Sequence, residues 1–345
     1  ADARQDLLMS RSGKPNAKRV VRAGSLLCCI AFAISLGIPS PASPQEKKKP
    51  RPENQAQTAG SADQIQDDEP LRLHSDMVVV NVTVTDLKGQ YTRGLKKEDF
   101  KVTEDDSAQP VNSFSAEEAP FAAAILIDMS GSMGYKFSLV RAAAASFIDH
   151  IRVDDQVAVY GFNNKVRLIQ EFSDSRDISD YVWDAKAEDS TRLYDCIDEA
   201  LQALMQRPEK RRAVLMISDG WDSSSRKASF DSVLKKALSA GVTIHTLDLI
   251  EDGALVGSDS FPLRRGRGEM KTFAEQTGGR YVHSPQGDTL EAEFNGLVDE
   301  LRNQYTLTYY STNHKRDGRW RKLNVSVSRQ GTIIRSRRGY WAPKP

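Results

Sequence analysis

The sequence predicts an α/β protein: a doubly wound, mostly parallel sheet with an accessory β-sandwich built from the N- and C-terminal flanks. Three observations carry this expectation. Apolar runs of strand length at residues 122–128, 156–162, 213–218 and 242–249 alternate with amphipathic helical stretches. The 122–128 run is apolar throughout until its final residue, as in a central strand buried on both faces. Both flanks outside residues 119–303 carry strand patterns without helical periodicity, and neither has enough strands for a core of its own.

The chain begins with residues that read as an export segment. Lys14, Lys18, Arg19 and Arg22 precede an apolar stretch from Ala23 to Ile38, followed by Pro39, Ser40 and Ala42. Residues 1–42 are thus a signal peptide cut after Ala42 or a retained signal anchor, with Met9 as an alternative start. Residues 43–70, rich in Pro, Lys, Gln and Asp, read as a disordered linker. The expected location is that of an exported protein: periplasmic, secreted or tethered to the membrane. Cys28 and Cys29 fall in the export segment, so Cys196 stands alone downstream and no disulfide framework is expected.

Residues 71–118 form the first β part. Val78, Val80, Val82 and Val84 alternate with more polar positions, which marks a half-buried strand. Asp86-Leu87-Lys88-Gly89 is a turn, and short strands follow near 95–102 and 111–114. Residues 119–303 form the α/β part, with helices expected near 137–151, 176–184, 192–206, 227–239, 269–277 and 288–303. An edge strand is expected at 165–171 and a short strand at 280–283. Residues 304–345 return to β, with strands near 305–310, 323–327 and 332–338, and hairpin-type turns at Asp317-Gly318 and Gln330-Gly331.

Charge is balanced, 48 basic against 47 acidic residues, so no global electrostatic partner is implied. Residues 314–345 hold ten cations and one acid, Asp317, and are read as a solvated sheet face. Export and the lack of interleaved aromatics argue against nucleic acid. The five histidines are scattered without ligand spacing.

Chemistry concentrates after the first α/β strand, in Asp128-Met129-Ser130-Gly131-Ser132. One carboxylate and two hydroxyls spaced by two can point into one small volume, a set suited to a hard divalent cation. Thr191 on a loop and Asp219 at a later strand end would share the same rim of a parallel sheet.

These residues resemble the metal-ion-dependent adhesion site of the von Willebrand factor type A (VWFA) domain, which implies a Rossmann-like fold. The resemblance implies Ser130, Ser132 and Thr191 as direct ligands, with Asp128 and Asp219 acting through water and hydrogen bonds. It implies Mg2+, with Mn2+ or Ca2+ as alternatives, left positive enough to capture an Asp or Glu carboxylate of a protein partner. Asp189-Ser190 stands before Thr191 where the family commonly has glycine; Asp189 adds a ligand or caps the helix. A wider resemblance, to exported acidobacterial VWFA-related proteins, rests on Gly94-Leu95-Lys96-Lys97-Glu98-Asp99-Phe100, Thr277-Gly278-Gly279-Arg280, Gln304-Tyr305-Thr306-Leu307 and Arg338-Gly339-Tyr340.

Partner contacts are expected from Met133, from Trp221, and from Arg264, Arg265 and Arg267 on a long loop spanning 250–268. Packing of Trp221 on its own loop and a bland surface insertion at 250–268 are the alternatives. Asp222 is read as the cap of the helix that follows it. No catalytic residue is assigned, since only Glu188, Asp189 and Asp222 stand near as bases. The expected function is an exported, metal-dependent protein-binding module. A metal-dependent hydrolase and a metal-free scaffold are the alternatives.

Overall fold

The computed structural model describes residues 77–116, 118–175, 190–256, 260–283 and 288–345. The expected export segment, the linker, the helix near 176–184 and Asp189 lie outside the described residues.

The central sheet has six strands: β5 (Phe121–Asp128), β6 (Gln156–Phe162), β7 (Val166–Ser173), β8 (Arg211–Ser218), β9 (Thr243–Asp248) and β10 (Tyr281–His283). They lie in the order β10-β9-β8-β5-β6-β7, and only β7 runs antiparallel to its neighbour. From β5 the chain winds outward through β6 and β7, then crosses back to place β8 on the other side of β5. The order therefore reverses between β5 and β8, and a crevice for ligands opens at such a point.

Alternate residues of β5 feed two separate cores. Ala123, Ile125 and Ile127 pack with α1 (Phe137–Asp149) and α5 (Asp288–Arg302) on one face. Ala122, Ala124 and Leu126 pack with α2 (Leu193–Met205), α3 (Phe230–Ala240) and α4 (Phe261–Thr277) on the other. All eight residues of β5 are buried, as its unbroken apolar run predicts.

The flanks build two further four-stranded sheets. One joins β1 (Met77–Asp86), β4 (Ser113–Ser115), β11 (Tyr305–Tyr310) and β13 (Thr332–Arg335) in the order β13-β1-β11-β4. The other joins β2 (Phe100–Glu104), β3 (Ser107–Gln109), β12 (Trp320–Val327) and β14 (Gly339–Trp341) in the order β14-β12-β2-β3. Val78, Val80, Val82, Val84, Tyr305 and Leu307 meet Phe100, Val102, Leu323 and Val325 in a shared apolar core. Neither flank closes that core without the other.

Four expectations need correction here. β1 is buried on both faces, because its polar residues are interface groups: Asn81 Nδ2 donates to the Lys210 carbonyl at 3.2 Å and Thr83 Oγ1 to Glu300 at 3.3 Å. The turns at Asp317-Gly318 and Gln330-Gly331 are not hairpins. The strands on either side of each belong to different sheets, and Gly318 and Gly331 supply positive φ for the switch. The C-terminal cations are not one solvated face: Arg335 pairs with Glu300 at 2.7 Å, Arg321 with Asp317 at 3.0 Å, and Arg337 is buried. Finally, α4 begins at Phe261, eight residues before the expected start, with Pro262 in its first turn.

Gly266 allows α4 to run so close to the rim. A Cβ at this position would sit 2.7 Å from the backbone carbon of Gly220, so only glycine admits the contact. Arg211, fully buried at the start of β8, donates to the carbonyls of Ala116, Ala119, Leu301 and Arg302, and to Thr306. One guanidinium thus ends α5 and fastens the flank strands to the parallel sheet. Among the described residues no helix is long and apolar enough to cross a membrane.

Candidate functional site

The site lies where β5 and β8 end side by side. Parallel pairing sets Ile127 opposite Ile217, which brings Asp128 and Ser218 together at the switch point. Asp128 is fully buried, and both its oxygens are engaged. Oδ1 accepts the Ser130 N–H at 2.9 Å, and Oδ2 accepts the Ser218 hydroxyl at 2.5 Å. The first of these bonds shapes the turn that turns Ser130 and Ser132 back over the strand end.

The two hydroxyl oxygens of Ser130 and Ser132 lie 3.0 Å apart, and Ser132 Oγ donates to Asp219 Oδ2 at 2.6 Å. Asp219 Oδ1 accepts the Trp221 N–H at 3.1 Å, and Gly220 N–H reaches Ser218 Oγ at 2.8 Å. Five side chains from two strand ends therefore form one connected network. Ser218 is a member that motif reading missed; its only signal is a hydroxyl immediately before Asp219 at the end of the apolar run 213–217.

The electrostatics are unusual for buried groups. Asp128 and Asp219 are both buried, and no salt bridge reaches either carboxylate among the described residues. Burial, and then the Asp219 charge, push Asp128 up to about 7, against the hydrogen bonds from Ser130 and Ser218. Two neighbouring acids without a counter-charge form an electrostatic hole that a cation would fill. The hydroxyl spacing is also suitable, because adjacent ligands of octahedral Mg2+ at about 2.1 Å stand about 3 Å apart. Among the described residues no group of three His, Cys, Asp or Glu is placed to hold a metal, so a candidate site must use hydroxyls.

Thr191 is on the same rim and is buried. Its N–H donates to Ser223 Oγ at 2.9 Å, and its carbonyl accepts the N–H groups of Ser223 and Ser224. The turn after β8 thus clasps the Thr191 loop, while the Thr191 hydroxyl has no hydrogen-bond partner among the described residues. Asp195 adds a second clasp: it accepts the N–H groups of Arg226, Lys227 and Ala228 at 2.9–3.1 Å. Burial opposes its charge, yet those three amides hold its carboxyl below the ordinary range.

The expected contact residues divide. Trp221 is 45% exposed and borders an open cleft of about 320 Å3 with Phe261 and Arg265. Arg264 is exposed, and Arg265 pairs with Glu269 one helical turn along at 2.8 Å. All three arginines belong to α4, not to a loop. Arg267 turns inward to Asp248 at 2.6 Å and to the Ile250 carbonyl at 2.8 Å, so it braces the strand end of β9. Met133 is 1% exposed and packs in the core beneath the turn, which removes it from the contact surface. Asp222 does not cap the following helix, where Ser229 does so. It accepts the Tyr194 N–H at the start of α2 instead, at 3.3 Å.

Residues 123–221 match the family model described as the von Willebrand factor type A domain. Among solved structures the chain is similar to a von Willebrand factor type A protein from Catenulispora acidiphila, at 13% identity over 66% of this chain and 72% of that one, with a TM-score of 0.45. It is similar to the pilus adhesin SpaC of Lactobacillus rhamnosus GG, at 11% identity over 75% of this chain and 49% of that one, with a TM-score of 0.44. It is also similar to proximal thread matrix protein 1 from the mussel byssus, in a structure with a zinc-occupied metal-ion-dependent adhesion site motif. There the identity is 15% over 58% of this chain and 50% of that one, with a TM-score of 0.43. No curated protein matches the chain. The acidobacterial resemblance rests on the sequence alone.

Proposed function

We propose that the von Willebrand factor type A domain of this chain is a protein-binding module that holds a divalent cation at the β5–β8 rim and takes a carboxylate from its partner. The observation that supports this reading is the buried Asp128–Asp219 pair, which lacks any salt bridge among the described residues and sits beneath two hydroxyls 3.0 Å apart. Ser130, Ser132 and Thr191 would hold the cation directly. Asp128 and Asp219 would orient the site and balance its charge through the hydrogen bonds they already accept. When bound, Mg2+ or Mn2+ would supply an open coordination position for an Asp or Glu side chain. We assign no catalytic residue, because all four oxygens of the two acids are committed to hydroxyl or amide donors. Export of the folded part to the periplasm, the cell surface or the medium belongs to the same reading and rests on the basic-then-apolar segment before Pro39.

Mn2+ relaxometry tests the capture of a carboxylate. Bound Mn2+ should enhance water-proton relaxation, and a glutamate-bearing peptide should lower that enhancement by displacing a coordinated water. The same peptide with glutamine should not. Equal responses to the two peptides would remove carboxylate capture from the account.

A further inference from the structure

A second cavity, of about 410 Å3, opens at the other end of the parallel sheet, beside the beginnings of β8 and β9. Its walls are the start of β1, the end of α3 and the last segment of the chain. Four cations line it, Arg212, Lys235, Arg337 and Lys344, and among the described residues no Asp or Glu does. Tyr340 and Trp341 add aromatic surface, with Lys235 placed 5.4 Å over the Trp341 ring.

Arg337 is only 7% exposed. Its Nη1 donates to the Leu238 carbonyl, its Nη2 to the Val79 carbonyl at 2.7 Å, and its Nε has no hydrogen-bond partner. Arg212 is arranged alike: Nη2 donates to the Ala240 carbonyl at 2.7 Å, and Nε has no partner. These carbonyls, from β1 and the end of α3, satisfy hydrogen bonds but not charge. Neither guanidinium has a salt-bridge partner among the described residues. Glu104, the buried carboxylate that acts on Arg337, is already held by the hydroxyls of Tyr309, Tyr340 and Ser311. Burial lowers both arginines, Arg337 to about 10; the Arg212 charge lowers Arg337 further, while Glu209 works against burial at Arg212. Uncompensated buried charge is unfavourable, and an anion from outside would offset it.

Local backbone makes room for this arrangement. Gly241 takes a φ of 66°, and a Cβ there would stand 3.4 Å from Arg337 Nη1. A Cβ on Gly318 would meet Lys344 at 2.9 Å, so glycine lets that lysine lie along the turn and reach the cavity mouth.

We propose that this cavity is an anion site for a phosphate ester of sugar size, with the phosphate among Arg212, Lys235, Arg337 and Lys344 and the organic body against Tyr340 and Trp341. Four cations against no acid among the described lining residues favour a dianion over a single carboxylate, and guanidinium matches phosphate geometry well. The volume exceeds that of inorganic phosphate and falls in the range of small-ligand pockets. The proposal stands apart from the metal site and does not depend on it.

Glucose 6-phosphate titrated calorimetrically into the full chain, in metal-free buffer, tests it. The expected result is saturable binding, at least tenfold weaker for inorganic phosphate and for glucuronate, and none for glucose. Lys235 and Lys344 are exposed, so a Lys235→Ala/Lys344→Ala double variant should fold and bind glucose 6-phosphate at least tenfold more weakly. Arg337→Met should lose the rise in melting temperature that glucose 6-phosphate gives the native chain. If that variant does not fold, the lysine variant decides. Absence of saturable binding by any phosphate at millimolar concentration would overturn the proposal, as would unchanged affinity in the lysine variant. Glucuronate binding as tightly as the phosphate ester would overturn the choice of phosphate.

Discussion

Ser132 Oγ donates a 2.6 Å hydrogen bond to Asp219 Oδ2, joining the turn after β5 to the turn after β8 across the point where strand order reverses. The bond links residues 87 positions apart in the chain. It makes the rim a single unit, so a change on either turn should be felt on the other.

Ser218 tests that coupling from below the rim. It donates to Asp128 and accepts from Gly220, so Ser218→Ala frees a buried carboxylate oxygen and an amide together. Without touching a proposed ligand, it should weaken Mn2+ binding by about tenfold to a hundredfold. Affinity equal to the native chain, in a variant with native circular dichroism, would separate Ser218 from the site.

Two glycines on one helix should respond with opposite signs. Gly268 has open space around its Cβ direction, so Gly268→Ala should stabilise the protein by about 1 kcal/mol. Gly266 lies against the Gly220 backbone, so Gly266→Ala must push α4 away from the rim. It should lower the melting temperature despite the better helix propensity, and Mn2+ affinity should fall with it. Urea denaturation of both variants reads the contrast directly.

Acid should destabilise the fold through His245. Burial lowers this imidazole to about 4, while the unfolded chain titrates near 6.5. The unfolded state therefore binds the proton first as pH falls. The stability contribution is intact above pH ~6.5 and is lost between there and ~4, by up to about 3 kcal/mol. His245→Gln should flatten that part of the stability profile measured by urea unfolding at several pH values. An unchanged slope would place the acid sensitivity elsewhere.

Arg211 should be among the costliest single residues to remove. Arg211→Met removes a donor from the buried Leu301 carbonyl and the part-buried Ala119 carbonyl, and one of two donors from those of Ala116 and Arg302. A loss of at least about 3 kcal/mol in chemical denaturation is expected. A loss under about 1 kcal/mol would show that water replaces the guanidinium.

Much of this was legible in the sequence where one local pattern had one physical meaning. The apolar run before Asp128 reads as a central strand, and Asp-x-Ser-x-Ser at its end reads as a set facing the shared rim. The alternating valines of β1 marked its core face correctly. Their polar neighbours misled, because Asn81 and Thr83 bond to Thr306 and Glu300, buried partners more than two hundred residues away. Turn residues at Gly318 and Gly331 announced a change of direction but not that the strand beyond would join another sheet. The two glycines of α4 read as loop residues, since the close contact with Gly220 that requires Gly266 is purely tertiary. Met133 read as surface because its turn is polar, and only the packing beneath it shows otherwise.

The central claim is that the Asp128–Ser130–Ser132–Asp219 network is a cation site, and calorimetric titration of Mg2+ and Mn2+ into the full chain tests it most directly. The account predicts saturable binding of one ion per chain, lost in an Asp128→Ala/Ser130→Ala variant that keeps its native circular dichroism. No saturable binding of either ion at millimolar concentration, or equal binding by that variant, would contradict it.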